Sequence, residues 1–355
     1  MTSSYAPHRR RAPLRARPLL AAACLAAACL AAALTLGACG AKQDTISAPA
    51  RKSFTVMLDF FPNADHAALY AAIAGGDFRA VGLDVKPITP ADPAEPLKLL
   101  AAGKVDMAIS YEPEVLLARD AGLKVVSIGA LVQRPLTSII ALPGKHITSV
   151  ADLAGKRVGT AGIAYQAAEL RTALQHAGVN PSSVHETNVG FNLIPAMLSG
   201  QVDATLGGFW IYVAIQLRLA HKHPVVIPID QAGVPSYNEL VLVVREGEAR
   251  TRGQDLRAFL QALTQGEHEV RADPAAAAAT LIKANPSLEE KLQLESIRQT
   301  LPAAQPSDSS HPFGWQNPSA WASFGDWMFS HGLLKSDPGA GLPPFTNEFL
   351  PGEGI

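Results

Sequence analysis

Two stretches of this sequence follow one pattern, and they read Ala102-Gly103-Lys104-Val105-Asp106-Met107-Ala108-Ile109-Ser110-Tyr111 and Ser199-Gly200-Gln201-Val202-Asp203-Ala204-Thr205-Leu206-Gly207-Gly208-Phe209. Each stretch is typical of a helix end, a glycine turn and a short strand, after which small residues and an aromatic residue lead into another helix. The separation is too long for a solenoid repeat and fits two similar α/β lobes. The alternative is that Gly-x-Val-Asp is only a common turn into a strand.

The ends of the two repeated strands predict a ligand cleft. In open parallel sheets, ligands bind beyond the carboxyl ends of the strands. Tyr111 ends the first stretch, and Phe209 and Trp210 stand at the end of the second. We therefore expect these aromatic residues on facing walls of one cleft.

The sequence around these stretches predicts an α/β fold, because short Val/Ile-rich segments alternate with Ala/Leu-rich segments. The predicted strands are Phe54–Leu58, Leu83–Ile88, Val105–Ser110, Lys124–Ile128, Ser138–Leu142, Lys156–Thr160, Val184–Thr187, Ala204–Leu206, Val225–Ile229 and Glu239–Val244. The predicted helices between them are Asp65–Ala74, Pro93–Ala102, Pro113–Ala121, Tyr165–Ala177, Leu193–Ser199 and Trp210–Ala220. A helical C-terminal section is predicted to comprise Arg252–Ala272, Pro274–Ala284, Leu288–Thr300 and Pro318–Ser330.

Charge is distributed unevenly along the 355 residues, 48% of which are hydrophobic and 17% charged. Five of the 30 basic residues precede residue 39, whereas all 31 acidic residues follow it, so residues 39–355 carry 25 basic and 31 acidic side chains. Phosphate binding needs a basic surface, which argues against nucleic acid as a partner. The composition also argues against disordered, collagen-like and coiled-coil architectures.

The first 38 residues are predicted to be a lipoprotein signal peptide. Arginines precede an apolar run, Leu19–Leu36, and the run ends in the lipobox-like sequence Leu36-Gly37-Ala38-Cys39. Cleavage before Cys39 would leave a lipidated tether, residues 39–52, that holds the protein on the outer side of a membrane. The alternative is a retained membrane anchor, and the export route, general or twin-arginine, stays open. Cys39 would be the only cysteine left, so neither a disulfide nor a cysteine metal site is expected.

Several segments of the sequence resemble the motifs of one protein family. They read Leu58-Asp59-Phe60-Phe61-Pro62-Asn63-Ala64-Asp65-His66, Gly103-Lys104-Val105-Asp106, Ile128-Gly129-Ala130-Leu131-Val132-Gln133-Arg134-Pro135-Leu136 and Gly233-Val234-Pro235-Ser236-Tyr237-Asn238-Glu239-Leu240. The sequence thereby resembles the type II periplasmic solute-binding proteins of ABC importers, in the branch that binds thiamine-pyrimidine precursors. That branch shares its fold with the eukaryotic thiamine pyrimidine synthase.

The resemblance implies two α/β lobes joined by crossing hinge strands. It places lobe one at residues 53–143 plus 236–355 and lobe two at residues 144–235, with a ligand that closes the lobes. It also implies a monomer that binds a small heterocycle and delivers it to a separate permease and ATPase. No cofactor and no enzyme activity are expected, because the chain has no Walker motif and lacks the cysteine cluster of the related synthase.

Recognition of a flat aminopyrimidine needs aromatic plates and a carboxylate or amide at the ring edge. In lobe one, Phe60 and Phe61 are candidate plates, and Asp59 and Asn63 are candidate edge groups. The alternative is that the phenylalanines belong to the core and the asparagine caps a helix. His66 is either a neutral hydrogen-bonding partner of the ligand, favoured by the helix N-terminus, or a surface or core histidine.

Four more candidates lie after the third strand and on the returning hinge segment. Tyr111 is a candidate plate, and Glu112 is either an edge acceptor or an N-terminal helix charge. Tyr237 and Glu239 lie on the hinge segment and can contact either lobe.

In lobe two, the loop containing Gly162 offers backbone N–H groups to a ligand oxygen. Asn192 and Tyr212 belong to segments that supply the second aromatic wall, and Trp210 is the strongest stacking candidate, with burial in the lobe core as its alternative.

Two residues depart from the pattern that the resemblance implies. Ile211 and Val213 occupy positions where an asparagine and a glutamate are expected, so the edge carboxylate is missing there. Alternative ligands are therefore a riboflavin-like compound or an alkanesulfonate, and a pyrimidine synthase is the enzyme alternative. No metal site is predicted, because the pair His221 and His223 lacks a third ligand nearby.

Overall fold

The computed structural model describes residues 51–339 and 341–353. The predicted signal peptide, the Cys39 lipidation site and nearly all of the tether lie outside the described residues. The first strand begins at Lys52, the last residue of the predicted tether.

The described residues form two five-stranded sheets. The strands of the first sheet are β1 (Lys52–Met57), β2 (Leu83–Ile88), β3 (Met107–Ser110), β4 (Val125–Val132) and β10 (Leu240–Arg245), in the order β2-β1-β3-β10-β4. Those of the second sheet are β5 (Thr137–Ala141), β6 (Arg157–Thr160), β7 (His185–Asn188), β8 (Ala204–Phe209) and β9 (Val225–Pro228), in the order β7-β6-β8-β5-β9. We call the described residues of 51–132 and 240–353 the first lobe, and residues 137–231 the second lobe.

Helices connect and cover the strands. In the part before β10 they are α1 (Ala67–Gly75), α2 (Asp77–Ala80), α3 (Pro96–Ala101), α4 (Glu112–Asp120), α5 (Gln166–His176), α6 (Leu193–Leu198) and α7 (Val213–Leu219). After β10 they are α8 (Glu246–Thr251), α9 (Gly253–Ala272), α10 (Pro274–Ala284), α11 (Glu290–Ala304) and α12 (Pro318–Ser330). Among the described residues, none of the helices has the length and apolar character that a membrane crossing requires.

The predicted α/β class is confirmed, and each sheet mixes parallel and antiparallel pairs. In the first sheet β1 pairs in parallel with β2 and β3, whereas β10 is antiparallel to β3 and β4. Every residue of β4 is buried, and its side chains enter two hydrophobic clusters, with Val126 and Ile128 in one and Val125 and Ala130 in the other. A strand covered on both faces needs a largely apolar sequence, and the hydroxyl of its one polar residue, Ser127, is bonded to Gln316.

The chain crosses between the lobes twice, and the first crossing corrects a predicted boundary. Residues 133–136 connect β4 to β5, and residues 232–239 return to β10. The expected boundary at residue 143 lies one strand too late, because β5 pairs with β8 and β9 in the second sheet. Pro135 cannot donate a backbone hydrogen bond to a strand ladder, so the first sheet ends before it and the next strand joins the other sheet.

The C-terminal segment covers the free edge of the first sheet. The backbone N–H of Ser127 in β4 donates to Pro344 O at 2.9 Å, and Thr346 N donates to Ser127 O at 2.8 Å. The side chain of Asn347 fastens the segment further, because its Nδ2 donates to Gln316 O at 2.9 Å. An uncovered edge strand is a template for aggregation, so this segment protects the β4 edge.

Candidate functional site

A cleft opens between the two lobes at the carboxyl ends of several strands. The residues that line it from the first lobe include Asp59, Phe60, Asn63, Asp65 and Tyr111. Those from the second lobe include Thr137, Tyr165, Gln166, Phe191, Phe209, Tyr212 and Val213. This is the position at which open α/β sheets bind ligands, because strand ends and the loops after them leave a crevice there.

A buried hydrogen-bond network forms the first-lobe side of the cleft. His66 Nε2 lies 2.8 Å from Asp59 Oδ1, and Tyr111 Oη donates to Asp59 Oδ2 at 3.0 Å. His66 Nδ1 accepts from Asn63 N at 3.2 Å, which places the ring hydrogen on Nε2 and makes Nε2 the donor to Asp59. Burial, reinforced by Asp59, holds the pKa of Tyr111 well above its usual value, so the phenol stays a donor. Both oxygens of Asp59 are therefore engaged within the protein.

The side chain of Asn63 serves the backbone of its own loop. Its Oδ1 accepts from Asp65 N at 2.8 Å, and its Nδ2 donates to Phe61 O at 3.0 Å. Asn63 thus lines the cleft while it caps the short 3-10 turn Ala64–His66 that precedes α1.

Aromatic rings from both lobes meet across the cleft. The Phe191 ring lies with its centroid 4.8 Å from that of Phe60 and 5.0 Å from that of Phe61. Tyr111 and Tyr165 face each other deeper in, with ring centroids 5.9 Å apart. Phe61 is 49% exposed and does not belong to the lining, so it lies at the mouth. Such walls suit a flat apolar ring, because offset and edge-to-face aromatic contacts add to its burial.

Besides Thr137, which is bonded to Glu239, three polar lining residues were not predicted from the sequence. Gln166 Oε1 accepts from Ala161 N at 2.9 Å, which fixes the amide at the start of α5. Asp65 Oδ1 accepts from Thr300 Oγ1 at 2.9 Å. Tyr165 is the third. Asp65 belongs to the segment Leu58–His66 that carried the family resemblance. A sequence motif does not show which of several adjacent side chains faces a cleft.

The sequence pattern of the family described as "NMT1/THI5 like" matches residues 63–277. This chain belongs to the NMT1/THI5-like family. It is 34% identical over 300 residues to the formylaminopyrimidine-binding protein of Halalkalibacterium halodurans, with 81% of this chain and 87% of that protein covered. It is 25% identical over 312 residues to a 4-amino-5-hydroxymethyl-2-methylpyrimidine phosphate synthase of Saccharomyces cerevisiae, with 83% and 87% covered.

Among solved structures, the family member resembles the alkanesulfonate-binding protein SsuA from Xanthomonas axonopodis pv. citri. The TM-score is 0.63 at 17% identity, over 82% of this chain and 96% of the solved one. At this identity the likeness concerns the fold alone. The predicted type II periplasmic-binding-protein fold is confirmed.

Trp210 does not line the cleft of this family member. Its indole Nε1 donates to Pro135 O at 3.3 Å, and the guanidinium of Arg134 lies 5.5 Å from its ring centroid. The ring therefore packs on the first crossover, whereas the neighbouring Phe209 lines the cleft. Adjacent residues of an extended chain point to opposite sides, so only one of the pair can face the ligand.

The two predicted glutamates bond to the hinge, which consists of the two crossovers; Glu112 begins α4, and Glu239 ends the second crossover. Glu112 Oε2 accepts from Asn238 N at 2.8 Å and from Asn238 Nδ2 at 2.6 Å. Glu239 Oε2 accepts from Leu136 N at 2.5 Å and Thr137 N at 2.8 Å, which ties one crossover to the other. Burial raises the pKa of Glu112 to about 8 and that of Glu239 to about 7.

The remaining predicted residues lie beside the cleft. Tyr237 is buried against Phe324, with ring centroids 4.9 Å apart. Gly162 has a positive φ of 79° and packs against the side chain of Asn188, and Asn192 precedes α6. The structure thus brings together Asp59, Phe60, Asn63, Tyr111 and Tyr212 in the lining. It places His66 behind Asp59, and the others at the mouth, on the hinge or in neighbouring loops.

Residues 51–339 and 341–353 contain no group of three or more histidine, cysteine or acidic side chains placed to hold a metal ion. The lining residues also include no lysine or arginine, whereas they include two acids, Asp59 and Asp65. The potential in the cleft therefore favours a neutral or cationic ligand over an anion.

Proposed function

We propose that this protein is the substrate-binding component of an ABC importer and captures a thiamine-pyrimidine precursor of the formylaminopyrimidine or hydroxymethylpyrimidine type. The observation that carries the proposal is the cleft, in which aromatic rings from both lobes surround a site that has acids and no bases. A flat ring with an amino group matches both properties. The formylaminopyrimidine-binding relative supports the same ligand class.

The remaining features describe how such a protein would work. Cys39 carries a lipid that holds the protein at the outer face of the membrane, and the lobes close on the ligand as a monomer. A separate permease and ATPase accept the closed form. A location outside the cytoplasm agrees with the periplasmic-binding-protein fold.

The alternative ligands fit the cleft less well. An alkanesulfonate is an anion, and it would be repelled by Asp59 and Asp65 without a lysine or arginine in the lining to offset them. A synthase reaction is disfavoured because residues 40–355 contain no cysteine, whereas the resemblance implies a cysteine cluster for the related synthase. A riboflavin-like ligand is the remaining alternative, and the titration below includes it.

Calorimetric titration of the purified protein tests the proposal. Saturable heat is expected with 4-amino-5-hydroxymethyl-2-methylpyrimidine or its formylamino relative, and none with taurine or riboflavin. Phe191→Ala should weaken pyrimidine binding about tenfold, or about 1.4 kcal/mol, because it removes an aromatic wall. Phe329→Ala is the matched control, since Phe329 is 44% exposed on α12 and lies outside the lining. No heat with either pyrimidine rejects the ligand and leaves the fold untouched.

A further inference from the structure

One acid that lines the cleft, Asp65, has a buried oxygen without a hydrogen-bond partner among the described residues. Asp65 is 8% exposed, yet its Oδ2 is buried and accepts no hydrogen bond from any described residue. Asp59, the other acid of the lining, uses both of its oxygens on His66 and Tyr111. An unpaired buried acceptor costs about 1–3 kcal/mol, more when it is charged, so this oxygen calls for a partner that the described residues do not supply.

The carboxyl group of Asp65 is held in a defined orientation. Its backbone N–H donates to Asn63 Oδ1 at 2.8 Å, and its Oδ1 accepts from Thr300 Oγ1 at 2.9 Å. Thr300 belongs to α11 and is itself buried, and its hydroxyl also lies 2.9 Å from Ser296 O. These contacts come from two distant parts of the chain, and they leave only Oδ2 free.

The surroundings of Asp65 keep it available as an acceptor at neutral pH. Burial is the main cause that raises its pKa to about 6; Asp59 acts in the same direction, and the hydrogen bond from Thr300 acts against it. The titratable groups around it are Asp59 and His66 on its own loop, Tyr212 from the second lobe, and Glu267, which shares a small hollow with Asp65 on its far side. Above pH 6 the carboxylate is therefore mostly ionised.

The opposite wall lacks a carboxylate at the expected position. Val213 begins α7 and lines the cleft with an apolar side chain, where the resemblance implies a glutamate. An acid that recognises a ring edge is thus absent from that part of the second lobe, while an unpaired acid is present in the first.

We propose that Asp65 is the specificity-determining acceptor of this site and that its Oδ2 accepts a hydrogen bond from the amino group of a heteroaromatic ligand. The inference rests on the proposed function. Oδ2 is shut off from solvent in this structure, so a ligand would reach it only when the lobes move apart. A ring without the amino group leaves the carboxylate buried and unpaired, which is a strong basis for discrimination.

Two probes of the same shape test this assignment. They are 4-amino-5-hydroxymethyl-2-methylpyrimidine and the analogue in which a methyl group replaces the amino group, titrated into the purified protein at pH 7.5. The natural protein should prefer the amino probe at least tenfold. Asp65→Ala should reduce that preference to below about threefold, and Asp65→Asn, which keeps a neutral acceptor, should give an intermediate value. Asp326→Ala is the control, because Asp326 is exposed on α12.

The ratio of the two affinities separates the hydrogen bond from a general effect on folding. If circular dichroism shows that Asp65→Ala is poorly folded, the test uses Asp65→Asn and Thr300→Val instead. Thr300→Val should lower the preference for the amino probe, because it removes the hydrogen bond that orients the Asp65 carboxylate. An unchanged preference in all the folded Asp65 variants overturns the inference and spares the proposed function; Oδ2 then faces the hollow shared with Glu267. Failure of the natural protein to bind either probe overturns both.

Discussion

At the scale of single residues, buried acids support two different tasks in this protein. Asp65 faces the cleft, whereas Glu112 and Glu239 are completely buried in the hinge and accept backbone hydrogen bonds from the crossovers. Glu112 Oε1 has no partner among the described residues, and burial raises the pKa of this group to about 8. Oε2 alone accepts both bonds from Asn238, so a proton on Oε1 removes the buried charge without breaking either bond.

The protonated hinge acid makes stability depend on pH. The pKa of Glu112 is about 8 in the folded chain and about 4.5 when unfolded, so the unfolded chain releases its proton first as pH rises. Its contribution to stability is therefore complete below pH 4.5 and is lost between pH 4.5 and 8. Glu112→Gln mimics the neutral acid and should reduce the loss of unfolding free energy between pH 5 and 8 by on the order of 2–4 kcal/mol.

Chemical denaturation at a series of pH values checks this expectation. Glu290→Gln is the matched control, because Glu290 is exposed at the start of α11 and should leave the pH profile unchanged. Other buried acids, Glu114 and Glu239, with pKa values of about 7, keep part of the slope in the variant. A profile for Glu112→Gln that parallels the natural one would show that Glu112 is ionised in the fold.

At the scale of elements, α9 and α1 approach each other so closely that one position admits only glycine. A Cβ on Gly266 of α9 would lie 2.8 Å from Ala72 Cβ and would also meet the carbonyl oxygen of Ala68, both in α1. The close packing of these two helices therefore depends on small residues on both, Gly266 in α9 and Ala72 in α1. Since α1 follows directly from the loop that contains Asp65 and His66, this contact supports the position of the cleft loop.

Gly266→Ala should therefore destabilise the protein, although alanine is the better helix former. Overpacking costs about 1–3 kcal/mol or more, and it exceeds the gain of about 1 kcal/mol in helix propensity. Gly247→Ala is the matched control, because a methyl group on Gly247 in α8 would meet no other atom within 4 Å, so this change should be neutral or slightly stabilising. The measurement is the denaturant midpoint of each variant relative to the natural protein. Equal shifts for the two variants would contradict the close contact between α9 and α1.

At the scale of the whole molecule, the two lobes are joined by more than their crossovers. One hydrophobic cluster contains Phe54 and Leu242 of the first lobe together with Ile163 and Ile211 of the second. The C-terminal segment closes the first sheet at β4, and α11 reaches from Thr300 at the cleft loop to Gln293, whose Nε2 donates to Tyr212 Oη at 3.3 Å. Helices far along the chain therefore shape both walls of the ligand site.

The proposed membrane anchor is also a property of the whole chain. A diacylglycerol on Cys39 supplies two acyl chains, which is enough for stable membrane attachment. Cys39→Ser should move most of the protein from the membrane fraction to the soluble fraction or leave the leader uncleaved, as judged by fractionation and mass. Cys24→Ser changes a cysteine inside the predicted leader and should leave attachment unchanged. Complete membrane attachment of the Cys39 variant, with the leader removed, would exclude the lipid anchor.

The sequence by itself determined the alternation of strands and helices, the C-terminal helices and the family, because apolar periodicity and short motifs are local properties of the chain. It also pointed to the loops after β1, β3 and β8 as the walls of a cleft. Only the tertiary structure decided that Phe209 rather than Trp210 faces that cleft, that Glu112 and Glu239 serve the hinge, that β5 belongs to the second sheet, and that Asp65 keeps a free oxygen. These outcomes depend on contacts between residues far apart in the sequence, such as Asp65 with Thr300 and Glu239 with Thr137, and no local pattern specifies which partner a side chain will meet.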